Sequence, residues 1–216
     1  MIKLSKTAQL RIVYADRPLD EAVVDQNPIV QFNRWFEEAI AAKVPYPNAM
    51  SLATATREGK PSVRIVLLKH ADAHGFVFYS NYDSRKGDEL SRNAHASLAF
   101  FWAELERQVR IEGEVKKISE RESDEYFQSR PRGSQIGAWA SRQGDVLTSR
   151  KELEREFKRL ERQYDNKPVQ RPPHWGGYRL EPNFIEFWQG RPNRLHDRII
   201  YTLQNGDNWK ISRLAP

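Results

Sequence analysis

Between Ala49 and Tyr82 the chain carries three apolar, β-branched and aromatic runs, AMSLATAT, PSVRIVLLKH and FVFYSNY. Little more than the turns at Glu58-Gly59-Lys60 and Asp72 to Gly75 separates them. Turns that short leave no room for a crossover, so consecutive strands of this kind pair antiparallel. Two further runs, HASLAFFWAE and RQVRIEGEVKKI, continue the pattern, as do three near the C-terminus, YRLEPNFIEFWQG, RLHDRIIYTLQ and NWKISRL. Helical stretches interrupt it. The segment from Pro28, IVQFNRWFEEAIAAK, places Ile29, Phe32, Trp35, Phe36 and Ile40 at helical spacing and must end before Pro45. Others are expected from near Ser84, in SERESDEYFQS up to Pro131, in SQIGAWASRQ, and from Ser149 to Tyr164, with a Pro-rich linker NKPVQRPPHWGG after the last. Many strands with tight turns and interspersed helices favour an antiparallel barrel, mainly β with appended helices.

Residues 1 to 25 show little apolar periodicity and contain Pro18, which reads as a flexible arm ahead of a single domain over residues 26–216. The N-terminus lacks the apolar core of a secretory signal and no apolar run reaches a membrane span, so a soluble cytoplasmic protein is expected, with no membrane partner. The absence of cysteine excludes disulfides, thiolate metal sites and a cysteinyl link to a cofactor, so any cofactor is expected to be held noncovalently. The formal charge of +6 raises nucleic acid as a partner. Most basic residues neighbour acids, as in RKELEREFKRLERQYDNK, which is a solvated helix rather than a phosphate-binding stripe, and no nucleic-acid partner is expected.

Four constellations carry chemistry. Arg194, His196 and Arg198 recur at every second position of a strand-like segment, with Trp188 in phase upstream. On one strand face they would form a cationic, aromatic-edged wall for a planar anion, against the alternative of a solvated edge strand. In NYDSRKGDEL a capping residue, Asp83 or Ser84, precedes Arg85 and Lys86. Cations in a first helical turn are unfavourable unless an anion offsets them, which favours a phosphate over a plain capped helix. Arg64 interrupts an apolar strand that Lys69 closes. Their odd separation sends them to opposite faces unless a bulge intervenes. Tyr126, Arg130 and Ser134 recur every four residues, but Pro131 breaks a continuous helix, so any alignment needs a bend with Ser134 capping the next helix. His70, Asp72 and His74 resemble metal ligands without an apparent fourth, and no metal is expected. The sequence holds no G-x-G-x-x-G, P-loop or G-x-S-x-G motif.

In this order, RIVLLK, FYSNYDSRK, ERQVRIEG, YFQSRPRGSQIGAWAS, IEFWQG and RLHDR, followed by the terminal RLAP, closely resemble the pyridoxine/pyridoxamine 5'-phosphate oxidase family from about residue 29 to Pro216. The resemblance implies a homodimeric split β-barrel, antiparallel, with a C-terminal dimerisation region and one noncovalent FMN per subunit at the dimer interface. Implied FMN contacts along the strand are Arg64, Ile65, Val66, Leu67, Leu68 and Lys69. Tyr79, Ser80, Arg85 and Lys86 follow, then Gln108, Gln143, Gly144, Trp188 and Arg198. Lys69, Tyr126, Arg130 and Ser134 would hold the substrate phosphate, with Arg194, Leu195 and His196 at the pyridine ring and Arg11 and Tyr14 closing from the arm. Arg194 and His196 are the implied catalytic residues. Family members often carry R-R-E-Y where this chain has Arg11-Ile12-Val13-Tyr14, and a Ser where it has Gly144. The implied reaction is hydride transfer from C4' of pyridoxamine or pyridoxine 5'-phosphate to flavin N5, giving pyridoxal 5'-phosphate, with hydrolysis of the imine releasing ammonia from the amine substrate and O2 reoxidising the flavin to yield H2O2. Two alternatives are a split-barrel protein that stores or senses FMN or pyridoxal phosphate without oxidising anything, and a basic nucleic-acid-binding barrel.

Overall fold

The computed structural model describes residues 14–205 and 208–216. The chain divides into two compact units, one of Met1–Pro47, Phe100–Arg110 and Phe184–Pro216, the other of Asn48–Ala99 and Ile111–Asn183. The sheet is mainly antiparallel. No helix among the described residues is long and apolar enough to cross a membrane.

In the second unit, β1 (Ala49–Ala55), β2 (Pro61–Leu67), β3 (His70–Asp72), β4 (Gly75–Asn81), β5 (His95–Trp102), β6 (Arg107–Lys117) and β7 (Trp175–Gln189) follow the order β2-β1-β5-β6-β7-β4-β3. Strands β5, β6 and β7 supply residues to both units. The expected long strand PSVRIVLLKH breaks in two. Strand β2 runs along β1 as far as Leu67; the Leu68 N–H then donates to Asn48 O (2.8 Å) and the Lys69 N–H to Val77 O (2.8 Å), so β3 continues along β4. This change of partner does what a bulge would have done: it breaks the alternation between Arg64 and Lys69.

The helices of this unit are α2 (Arg85–Arg92), α3 (Glu120–Ser129), α4 (Arg132–Ala140) and α5 (Arg150–Gln163). A reciprocal capping box between Ser119 and Glu122 starts α3. Pro131 stops it and becomes the N-cap of α4, so Ser134 stands inside the first turn rather than capping it, a correction to the sequence expectation. Gln135 ties the two helices by donating from Nε2 to Phe127 O and Gln128 O. Under this corner lies an apolar cluster of Phe127, Ile136, Leu160, Val169 and Trp175.

In the first unit, Asn27 Oδ1 accepts the Ile29 N–H (2.9 Å) to cap α1 (Pro28–Ala41), whose Phe32, Trp35 and Ala39 are buried. Ile40, expected on the apolar stripe, is exposed; Ala39 takes the buried position. Trp35 packs edge-on to Phe187 (5.2 Å), and Phe187 to Tyr201 (5.5 Å). The end of β7 pairs with β8 (Asp197–Leu203), and β8 with β9 (Trp209–Arg213). Residues 14–25 hold to this unit through the Leu19 N–H to Asp197 Oδ2 (3.0 Å) and the Tyr201 hydroxyl to Asp25 O (2.6 Å).

Candidate active site

A cleft of about 960 Å³ opens in the second unit. It is lined by Arg64, Lys69, Arg85, Lys86 and Arg130, and by no acidic residue among those described. The outer residues of β2 (Ile65, Val66, Leu67) line it too, as do Tyr79 and Ser80 on β4, Tyr126 at the end of α3, Ser134 on α4, and Gln143 with Gly144 beyond α4. Leu68 does not: it is buried, with its N–H on Asn48.

Lys86 is almost fully buried in the first turn of α2, where its Nζ donates to Ser84 Oγ (2.9 Å) and Gln143 Oε1 (2.6 Å). Both partners are neutral. Burial, with the nearby Arg64 charge adding to it, pulls the lysine down to about 8. The Ser84 hydroxyl is spent on Asn81 O (2.7 Å), leaving the first-turn amides of α2 without a side-chain cap. Gly87 follows because a Cβ there would run into the Tyr82 carbonyl, so the helix start can press against that backbone only with glycine. An uncapped helix N-terminus carrying two cations is a site for an anion.

Arg64 has an internal partner that the sequence reading did not identify. Its Nη2 lies 3.2 Å from Oε2 of the buried Glu89, and its Nη1 donates to Leu52 O (3.2 Å). Burial would raise the Glu89 carboxyl, but hydrogen bonds from Ser62, Thr54, Arg85 and Arg64 overcome it and bring it down to about 2. Arg64 is therefore charge-compensated, whereas Lys86 is not.

At the other set of cations, Tyr79 and Tyr126 stack at 3.8 Å and Tyr79 and Trp175 at 5.4 Å. Burial pushes the Tyr79 phenol up to about 12, so it stays neutral. Arg130 lies over Trp175 at 4.5 Å and Lys69 over Tyr126 at 5.9 Å. The Nη1 of Arg130 is buried with no hydrogen-bond partner. A buried guanidinium nitrogen without an acceptor is costly unless a ligand supplies one.

The remaining site residues expected from sequence belong to the first unit, apart from Arg11, which lies outside the described residues. Strand β8 begins only at Asp197; Pro192 to Arg194 form a 3-10 turn in which Asn193 and Arg194 adopt φ of 57° and 62°. The expected alternation of Arg194, His196 and Arg198 on one strand is therefore corrected, because Arg194 sits in the turn that Pro192 initiates and His196 in the connection that leads from it to β8. His196 packs against Trp188 at 4.6 Å and edge-on to Tyr14 at 5.0 Å. Its Nδ1 accepts the Arg191 N–H (3.1 Å), which assigns the proton of the neutral ring to Nε2. Burial and then the charge of Arg194 hold its pKa below the ordinary imidazole value. Leu195 is exposed beside it. Arg198 stands across from Trp188 in the β7–β8 register and donates from Nε to Oε1 of buried Glu186 (2.7 Å). Gln108, half-buried on β6, belongs to the same unit.

Three residues escaped the sequence reading. Trp175 lay within what reads as a linker, and Arg191 lay just ahead of the Arg194, His196, Arg198 alternation and out of phase with it. Glu89 carried a usable signal, its i,i+4 spacing from Arg85, which closes as an ion pair of 2.8 Å.

Residues 36–164 match the family model described as Pyridoxamine 5'-phosphate oxidase, and residues 175–216 the one described as Pyridoxine 5'-phosphate oxidase C-terminal dimerisation region. The chain is 59% identical over 213 residues to the pyridoxine/pyridoxamine 5'-phosphate oxidase of Paraburkholderia phymatum, covering 99% of this chain and 100% of that protein. It is 57% identical over 209 residues to the protein of that name from Cyanothece sp., covering 97% and 98%. Among solved structures, PhzG from Burkholderia lata 383, in complex with tetrahydrophenazine-1-carboxylic acid, superposes with a TM-score of 0.87 at 33% identity, covering 93% of this chain and 99% of that one. A pyridoxamine 5'-phosphate oxidase-related, FMN binding protein from Nostoc punctiforme superposes at 0.69 with 15% identity, covering 86% and 97%, which carries the split-barrel fold alone. By full-length identity to these oxidases and by both family models, the chain belongs to the pyridoxamine 5'-phosphate oxidase family.

Proposed function

We propose that this protein is a cytoplasmic homodimer that oxidises pyridoxamine 5'-phosphate and pyridoxine 5'-phosphate to pyridoxal 5'-phosphate, with noncovalent FMN, one per subunit at the dimer interface, and O2 as electron acceptor. The observation that carries this reading is the cleft itself. It holds five cations and no acid among the described lining residues, a buried Lys86 on neutral partners, and an Arg130 nitrogen with no acceptor.

The residues present fit a flavin phosphate. Lys86, Arg85 and the uncapped amides at the start of α2 would hold it, and the cleft is of the size that accommodates an organic cofactor. When bound, FMN would supply a two-electron acceptor for the hydride from C4', with O2 as the final acceptor taking two electrons and two protons to H2O2. Lys69, Tyr126, Arg130 and Ser134 bind the substrate phosphate, an anchor remote from C4' whose binding energy fixes the approach of the reacting carbon. His196, neutral and protonated at Nε2, donates a hydrogen bond to the 3-oxygen or the C4' substituent. Arg194 places a positive charge beside the same ring, where it stabilises the ionised 3-oxygen. The same reading assigns Trp188, Gln108 and Arg198 as further flavin contacts.

A peroxide assay tests this reading, run on flavin-loaded protein with both phosphorylated vitamers and an unphosphorylated control. Peroxide with the phosphorylated substrates is expected. Flavin binding without any peroxide would favour a storage or sensing role.

A further inference from the structure

Arg191 stands at the mouth of the turn that carries Arg194 and His196, and its groups reach three ways. Its Nη1 donates to Asp197 Oδ2 (2.8 Å), its Nη2 pairs with Asp16 Oδ1 (2.7 Å), and its backbone N–H donates to His196 Nδ1 (3.1 Å). The Asp197 carboxylate is itself held by Arg213 Nη1 (2.6 Å) and the Leu19 N–H (3.0 Å). The Arg191–Asp197 pair therefore clamps the two ends of a turn whose Asn193 and Arg194 occupy left-handed conformations, one that asparagine tolerates and one that is uncommon for arginine. Through Asp16 the same guanidinium holds the segment bearing Tyr14, whose ring crosses both His196 and Trp188 and rests on Gly190, where a Cβ would collide with it.

We infer that Arg191 is a positioning residue that fixes the orientation and tautomer of His196 and pins Tyr14 over it. The inference rests on the placement of His196 at the substrate ring. Loop-borne groups need such support, because a small misplacement of an orienting group costs a large factor in rate.

The test uses the flavin-loaded protein with Arg191→Ala, Arg191→Lys and Asp16→Asn. Arg191→Ala is expected to lower kcat about tenfold or more while the KM for pyridoxamine 5'-phosphate and FMN affinity stay within about twofold. Arg191→Ala keeps the backbone N–H that donates to His196 Nδ1 but loses the side-chain clamp that positions it, so the histidine nitrogen NMR signals of His196 should change from a single Nε2-protonated form to a mixture. Arg191→Lys should recover part of both, since an ammonium bridges the carboxylates less well than a planar guanidinium. An Arg191→Ala protein with unchanged kcat and tautomer would overturn the inference, as would a fall in kcat, KM and thermal stability together without rescue by lysine. Should Arg191→Ala fail to fold, Asp16→Asn carries the test at an exposed position, and a kcat equal to the parent's overturns the inference. The tautomer is read without turnover, so a parent protein that makes no peroxide would sink the oxidase reading while leaving the Arg191 result to be judged by itself.

Discussion

Lys86 Nζ sits 2.6 Å from the side-chain oxygen of Gln143, a neutral acceptor that hydrogen-bonds the ammonium without cancelling its charge. The charge is thus held for something else. Replacing Lys86 with Met should weaken FMN binding on the order of 10-fold to 100-fold, the value of a charge-assisted hydrogen bond to phosphate. The sign of the pH dependence follows from its depression to about 8. Below that value the ammonium binds phosphate; as pH rises through it the charge is lost, so the FMN dissociation constant should climb above pH 8 in the parent more steeply than in Lys86→Met. Fluorescence titrations at several pH values measure both.

Arg130 makes the corresponding case for the substrate. Its half-buried guanidinium has an Nη1 with no acceptor, and burial holds its pKa below the ordinary arginine value. Arg130→Met should raise the KM for pyridoxamine 5'-phosphate about tenfold or more while sparing FMN affinity. It should leave the melting temperature of ligand-free protein unchanged or higher, because an unsatisfied buried charge is removed. Steady-state kinetics and a thermal melt check the two halves.

How far these sites were legible in the sequence depended on whether the signal was local. Helix α1, with Pro28 in its first turn and apolar residues at helical spacing, was readable, as were the hairpin β1–β2 and the cations at the start of α2. Each is written in a few adjacent residues. The partner change at Leu68 was not readable, because it is set by competition between Asn48, ahead of the preceding hairpin, and Val77 on the following strand, which no run of adjacent residues encodes. Alternation failed from Arg194 to Arg198 for a related reason: a strand period assumes a strand, and Pro192 with two left-handed residues delays it to Asp197. Glu89 and Arg191 each combine a nearby partner, Arg85 and Asp197, with a distant one, Arg64 and Asp16, and charge alone does not distinguish such a hub from a solvated face.

Glu89 carries the heaviest structural load in the cleft wall. Its carboxylate accepts from Thr54, Ser62, Arg64 and Arg85. Glu89→Ala strands Arg64 and should cost about 3–5 kcal/mol of stability, as breaking a buried ion pair does. Its folded pKa near 2 lies below the ordinary 4.5, so its contribution is fully present above pH 4.5 and is lost as pH falls toward 2. Denaturant unfolding at neutral and acidic pH should show the parent losing stability in that window, with Glu89→Ala flatter.

His196 and Arg194 are coupled electrostatically. Burial, and then the charge of Arg194, keeps the imidazole neutral to lower pH than usual. With turnover carried by the neutral ring, the acid limb of the kcat/KM profile lies below the ordinary imidazole value, and Arg194→Ala moves it upward. Arg194→Ala and His196→Ala should each lower kcat on the order of 100-fold with FMN retained. A pH–rate profile of the parent and Arg194→Ala separates the lost charge from a general loss of activity.

The central claim, that the cation-lined cleft is built for a phosphate-bearing flavin, is tested most directly by titrating flavin-free protein with FMN and with riboflavin. Saturation at one FMN per chain is expected, with riboflavin bound at least about 100-fold more weakly, since the phosphate contacts supply the difference. Equal and weak binding of both flavins would contradict it.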